Sequence, residues 1–404
     1  MSCPELLIPA GNLEKLRTAV LYGADAVYVG VEGLSLRASQ AEFGMEDLES
    51  GITEAHQKGV KVYAALNIFA RNRDLEIVER TANDLAMLGI DGVIISDPGV
   101  LATVKRIQPG IQVHLSTQAN TTNAAAVRFW KTQGVERIVL ARELTLAEIG
   151  EIAAEVPEVE LELFIHGAMC MAYSGRCYLS AYRNRRSSNQ GDCTQPCRWE
   201  YRLVESTRPN SPLVVEEDEH YSYLLSSKDL CMIEYLPQIL AAGVNSLKIE
   251  GRMKSAYYVA VVTRVYRKAL DLYLKDPQGY RFDPVWLDEL KKISYRGYTT
   301  GFYFDSEKIN EVNPEIKYIQ NHDLAGTVLA YDRVEGRILV GVRNHLTTED
   351  EVELLLPEQI VEVPMERMTD QSGFSIREAH NGYQVLLSCD LEAPAGAVLR
   401  RKIS

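Results

Sequence analysis

The chain has 404 residues, 46% of them apolar, which is ample for a large buried core and for two or three domains. A net charge of -13 argues against a general nucleic-acid coat while leaving room for a local basic site. No run approaches the ~18 apolar residues of a membrane span, and Met1 to Glu5 leads straight into a short apolar strand with no signal peptide, so a cytoplasmic protein with reduced cysteines and no membrane partner is expected.

One punctuation recurs along the first two thirds. A helical segment ends in Gly and a short apolar strand follows, at Gly23, Gly59, Gly89, Gly134 and Gly243. These strands are β-branched and almost continuously apolar, as strands buried on both faces are. Helix starts are marked by Asn12, by Asp97 with Pro98, and by the capping box Thr145-x-x-Glu148. Strands are expected near residues 5–9, 25–30, 60–66, 91–96, 111–116, 136–141, 160–166 and 245–250. Alternation on this scale predicts an α/β fold, a TIM-type (β/α) barrel; Ser226 to Asp229 offers a ninth strand, so the count is not fixed. Chemistry in such barrels sits where strands end. The ends here are polar: Asn67, Ser96, Ser116 to Gln118, Arg142, His166 and Lys248 to Arg252.

Five of the seven cysteines fall between Cys170 and Cys231, a cysteine-rich insertion in the barrel spanning 167–231. Thiolates in this number hold zinc or an iron–sulfur cluster. Paired CxxC knuckles are absent, and wide uneven spacings suit a cluster held across a barrel mouth, although spacing alone leaves zinc open. The insertion is locally basic: Arg176, Arg183, Arg185, Arg186, Arg198 and Arg202 face only Asp192 and Glu200 between Cys170 and Arg202. Downstream, residues 255–274 form an amphipathic helix. From about 320 the pattern changes to period two with no helix, which predicts a small all-β barrel domain. The expected domains are 1–310, the barrel with its insertion, and 320–404.

The run Glu162 to Ser180 (GluLeuPheIleHisGlyAlaMetCysMetAlaTyrSerGlyArgCysTyrLeuSer), with Asn189 to Trp199, Ser226 to Cys231 and Leu247 to Ala260, resembles the collagenase-like peptidase family U32, in particular its RNA-hydroxylating branch. The resemblance covers the barrel through about residue 310 and, more loosely, the β-domain. It implies oxygen-independent 5-hydroxylation of the wobble uridine of tRNA, with prephenate as hydroxyl donor and a 4Fe-4S cluster. It assigns Cys170, Cys177, Cys193 and Cys231 as ligands. Cys197 is a fifth thiol: a neighbour, a redox partner, or the fourth ligand in place of Cys231. Cys3 and Cys389 receive no role.

A donor with two carboxylates calls for guanidinium or ammonium partners. Arg37, Arg142, Lys228, Lys248 and Arg252 stand near the expected rim, Arg142 and Lys248 foremost. His166 and Glu250 are the acid–base candidates. An anticodon-loop uridine is read by aromatic stacking and by Arg contacts to phosphate, for which Tyr178, Tyr182, Trp199, Arg183, Arg185 and Arg186 are suited. Arg400 to Lys402 offers a second RNA surface. Two other readings stand beside this one. The first is a sister hydroxylase acting on a quinone precursor or ribosomal RNA. The second is a peptidase or a metal-binding scaffold. HExxH and GxSxG are absent, but His166 lies four residues from Cys170, which leaves a Cys–His pair open. The oligomeric state is not legible.

Overall fold

The structure, a computed structural model, describes residues 3–36, 43–170, 172–199, 227–304 and 318–403. Arg37 lies outside these described residues.

Eight parallel strands close a barrel: β1 (Glu5–Ala10), β2 (Ala26–Gly30), β3 (Lys61–Leu66), β4 (Gly92–Ile95), β5 (Gln112–Leu115), β6 (Arg137–Val139), β7 (Glu160–Ala168) and, after an intervening β8 (Asp229–Cys231), β9 (Ser246–Ile249). Each pairs with the next, and β9 joins β1 through Leu7↔Lys248 and β7 through Phe164↔Lys248. A helix-lined exterior and this interior bury both strand faces, which is why the strands read as continuous apolar runs. The expected strand positions are all met. The turn glycines behave as the sequence implied: Gly23, Gly59, Gly89, Gly134 and Gly243 all have φ between 73° and 97°. Asp97 caps its helix by accepting from the Gly99 and Val100 amides at 2.7 and 3.0 Å, and Thr145 and Glu148 form the reciprocal box.

The ninth strand is not a stave. β8 runs antiparallel to the outer end of β7, pairing His166↔Cys231 and Ala168↔Asp229, and a short β10 (Tyr298–Thr299) extends it. β7 is nine residues long and outruns the barrel, so its end presents backbone groups that need a partner. Asp229 and Arg296, both buried, lock this extension with a guanidinium–carboxylate pair at 2.6 Å. Gly167 within it has φ 107°, and a Cβ there would run into the Glu250 carbonyl, so only glycine lets β7 and β9 approach.

The described residues fall into two compact units. The first takes the described residues within 1–12, 25–253 and 295–318 and holds all the barrel strands. The second comprises 13–24, 254–294 and 319–404. It joins helices Leu13–Leu21, Ala256–Lys275 and Pro284–Leu290 to a C-terminal antiparallel half-barrel. That half-barrel is a seven-stranded sheet built on β11 (His322–Asp332), β12 (Arg337–Val342), β14 (Val352–Leu355), β15 (Ile360–Val363), β16 (Thr369–Asp370), β18 (Gln384–Ser388) and β19 (Val398–Lys402). Beside it lies the two-stranded ribbon β13 (Leu346–Thr347) and β17 (Glu378–Ala379). Its core includes Val328, Ile338, Val340, Leu354, Leu387 and Leu399. Arg400 on β19 is fully buried and bidentate to Glu289, at 2.8 and 3.1 Å, and also reaches Glu353.

Burial would raise the Glu289 carboxyl pKa, but its bonds and charges with Arg400 and Lys292 outweigh this and hold it below the ordinary value of 4.5. Arg400→Leu leaves Glu289 buried without that partner and is expected to cost about 3–5 kcal/mol, read as a lower urea midpoint near neutral pH. Because the folded carboxyl is depressed, its contribution is present above the unfolded pKa and lost as pH falls through the folded one. The gap between wild type and variant should therefore close in acid.

Candidate active site

The polar strand ends converge at the C-terminal mouth of the barrel, around a cavity of about 160 Å3. Its floor is ionic. Lys248 Nζ bonds Glu162 Oε1 at 2.8 Å and lies 4.5 Å from the Tyr28 ring centroid. Burial lowers the Lys248 pKa, against the pull of Glu162. Glu162 also meets Arg137 at 3.5 Å, and Arg137 continues to Glu5 and Glu160. His114, buried beside this network, is held neutral: burial first, then the Arg137 and Lys248 charges, push its pKa well below the usual imidazole value.

Arg142 lines the cavity, donates to the Ala168 carbonyl at 2.8 Å and stacks 3.8 Å from the Phe164 ring centroid. Arg252 lines it too, with its guanidinium on Ser35 Oγ and the Leu36 carbonyl. Glu250 accepts from the Tyr28 hydroxyl at 3.2 Å at the same wall. Lys228 and His166 are not among the lining residues. His166 is buried on β7, opposite Cys231 and 5.5 Å from the Tyr298 ring.

The segment after β7 folds over the mouth in short helical turns: Tyr173–Gly175, Leu179–Asn184, Ser188–Gln190 and Pro196–Arg198. Three of the four non-glycine residues with positive φ among those described lie here: Ser174, Arg185 and Gln195. Such backbone costs of order 1–3 kcal/mol per residue, so other bonds must impose it. Glu143 takes the Ser174 amide at 2.7 Å and its hydroxyl. Arg176 Nε donates to the Gln118 carbonyl at 2.8 Å, and Ser188 Oγ to the Cys177 carbonyl at 2.6 Å.

These turns bring Cys170, Cys177, Cys193 and Cys197 to the cavity wall together. None of the seven cysteines forms a disulfide. The Leu179 amide donates to Cys177 Sγ at 3.3 Å and the Gln195 amide to Cys193 Sγ at 3.4 Å, the kind of bond that stabilises ligating thiolates. Burial, then the neighbouring Cys170, push the Cys197 thiol up to about 11, with Cys193 and Cys177 adding to the effect and Arg198 opposing it. Cys231 is buried on β8 and does not line the cavity.

Beside the thiols is an exposed surface. Tyr178 and Tyr182 are more than four-fifths exposed, Trp199 is 44% exposed, and Arg183 and Arg185 are exposed. Arg186 is exposed as well but is bound to Asp192.

Of two further residues that shape the site, sequence reasoning missed Glu143 and met Gln118 only as one of the polar strand ends. Glu143 anchors the thiol loop. Gln118, 3% exposed, is oriented by a relay: the Leu36 amide donates to Asn67 Oδ1 at 3.1 Å, and Asn67 Nδ2 and Ser96 Oγ donate to Gln118 Oε1 at 3.1 and 2.9 Å. A backbone amide can only donate, so the relay fixes which end of the Gln118 amide is oxygen. Its Nε2 has no hydrogen-bond partner among the described residues. The cue in the sequence was its place just past β5.

Fold and site together define a TIM-type barrel whose mouth is closed by a thiol-bearing loop and whose chain continues into a β half-barrel. The chain belongs to peptidase family U32: the family model matches residues 11–313 and that of the family's C-terminal domain matches 320–400. It is 41% identical over 390 residues to tRNA hydroxylation protein P1 of Bacillus subtilis, covering 95% of this chain and 91% of that one. It is 38% identical over 440 residues to tRNA hydroxylation protein P of Escherichia coli, covering 98% and 96%. It is also 36% identical over 310 residues to the 23S rRNA 5-hydroxycytidine C2501 synthase of Escherichia coli, covering 75% of this chain and 46% of that protein.

In the metal-free protein, Cys197 is expected to alkylate at least about tenfold more slowly at pH 8 than exposed Cys170, since a thiol near pKa 11 holds little thiolate there. Time-resolved peptide mass spectrometry with iodoacetamide measures this; the rate should climb with pH.

Proposed function

We propose that this chain is an RNA-modifying hydroxylase that places a hydroxyl on C5 of the wobble uridine of tRNA, taking it from prephenate or a similar small dicarboxylate. The observation that carries the reading is the meeting of four thiols with an exposed aromatic and basic surface at one barrel mouth. The near full-length match to two tRNA hydroxylation proteins supports tRNA over ribosomal RNA, because the ribosomal RNA enzyme is matched over less than half its length.

Cys170, Cys177, Cys193 and Cys197 fit a 4Fe-4S cluster. They supply the four thiolates it needs and amide donors to two of the sulfurs. When bound, such a cluster would supply electron transfer at the cavity. Arg142 and Arg252 bring guanidinium groups for the carboxylates of the donor, and Glu250 is placed to hold a proton at the reacting base. Tyr178, Tyr182 and Trp199 offer stacking faces to splayed nucleotides, with Arg183 and Arg185 for phosphates. The match to RNA hydroxylation proteins over most of their length supports this reading over a peptidase.

Mass spectrometry of tRNA nucleosides tests the reading. A deletion strain should lack 5-hydroxyuridine and its derivatives. The wild-type gene and Cys231→Ser should restore them, and Cys197→Ser should not. Undiminished hydroxyuridine in the deletion strain would sink the proposal, and rescue by Cys197→Ser would return Cys231 to the ligand set.

Charge reversal of Arg183 and Arg185 should weaken tRNA binding about tenfold or more near physiological salt and flatten its salt dependence. Filter binding across a salt series measures both. Unchanged affinity would remove this surface from the RNA path.

A further inference from the structure

A second constellation of ligating groups lies in the C-terminal half-barrel and shares no residue with the cavity. In the ribbon of β13 and β17, Leu346 faces Ala379 and Thr347 faces Glu378, so the next pair outward is His345 with His380. Residues 345, 378 and 380 therefore share one face of the ribbon. His345 Nε2 lies 3.1 Å from Glu378 Oε2. The His345 and His380 rings stack at 4.9 Å between centroids with planes 23° apart. One nitrogen or oxygen from each of the three residues lies within 4.8 Å of the others, the tightest such group of His, Cys, Asp and Glu among the described residues.

We propose that His345, Glu378 and His380 bind a divalent transition-metal ion, with zinc as the best fit. Two imidazoles and one carboxylate are a donor set that zinc accepts, whereas calcium and magnesium favour all-oxygen sites. Zinc bonds of about 2.0–2.2 Å in a tetrahedron separate ligand atoms by about 3.3 Å, close to the spacing of the His345–Glu378 pair. The residues are held before any ion arrives: the His345 carbonyl accepts from Arg401, which is itself paired with Asp323 at 2.9 Å, and the Tyr383 ring stands edge-on to His380. All three side chains are exposed, so an ion reaches them without unfolding, and a fourth position is left for water or a partner's ligand. A bound ion would pin β13 to β17, a ribbon with only two paired positions on each strand.

The test is zinc titration of the full chain by calorimetry, with zinc-edge X-ray absorption to identify the ligand atoms. One zinc held by nitrogen and oxygen is expected in the wild type. His345→Ala and His380→Ala should weaken it at least about tenfold, while thiol-bound metal and nucleoside modification stay unchanged. His380→Asn serves if an alanine variant misfolds. Equal zinc affinity in the variants, or zinc ligated by sulfur alone in the wild type, would overturn the proposal. Neither outcome depends on whether the chain hydroxylates tRNA.

Discussion

The barrel depends on one buried carboxylate. Glu162 on β7 has no solvent exposure, and it is neutralised by Lys248 on β9 and Arg137 on β6, with Glu5 on β1 completing the group. Taking such charges out of water costs several kcal/mol per ion, so each must meet its partners in good geometry. The network spans the strands where the barrel closes. A one-residue slip of β9 would turn Lys248 to the opposite face and leave Glu162 without its cation, which makes the closing register strict. It also sets the floor of the site: Lys248 reaches the cavity while committed to Glu162, and nearby His114 stays neutral.

Over that floor lies a loop that stores strain. Left-handed backbone occurs at Ser174, Arg185 and Gln195; Glu143 accepts from the Ser174 amide and hydroxyl, the Gln118 carbonyl accepts from Arg176, and Ser188 donates to the Cys177 carbonyl, which ties the loop to the barrel rim and to itself. The effect is to turn four thiols toward one cavity while aromatic and basic side chains of the same loop face outward. On the proposed reading, cofactor site and RNA approach would share one short segment, which would account for the arginines a net-negative protein concentrates there. The family name points to proteolysis, but the relatives matched over most of their length are named tRNA hydroxylation proteins.

The rim cations show how a residue's type can be read without its commitments. Arg142, Lys248 and Arg252 do reach the cavity, yet each also makes a structural bond: to Ala168, to Glu162, and to Ser35 and Leu36. Gln118, legible in the sequence as one polar strand end among several, gains a fixed orientation only through Asn67 and Ser96.

What the sequence by itself determined was local. Strand positions, glycine-terminated helices, the caps at Asp97 and Thr145, and the change to period two near residue 320 follow from side-chain pattern and backbone preference over a few residues, and these are the features the structure repeats. What only the tertiary structure decided was long-range. The antiparallel placement of β8, the joining of helices near residues 13 and 256 to the C-terminal sheet, the pairing of Lys248 with Glu162, and the gathering of Cys197 rather than Cys231 at the cavity each depend on segments distant in the chain. Spacing along a sequence fixes neither which face a residue takes nor which distant partner it meets; strand pairing and loop closure do.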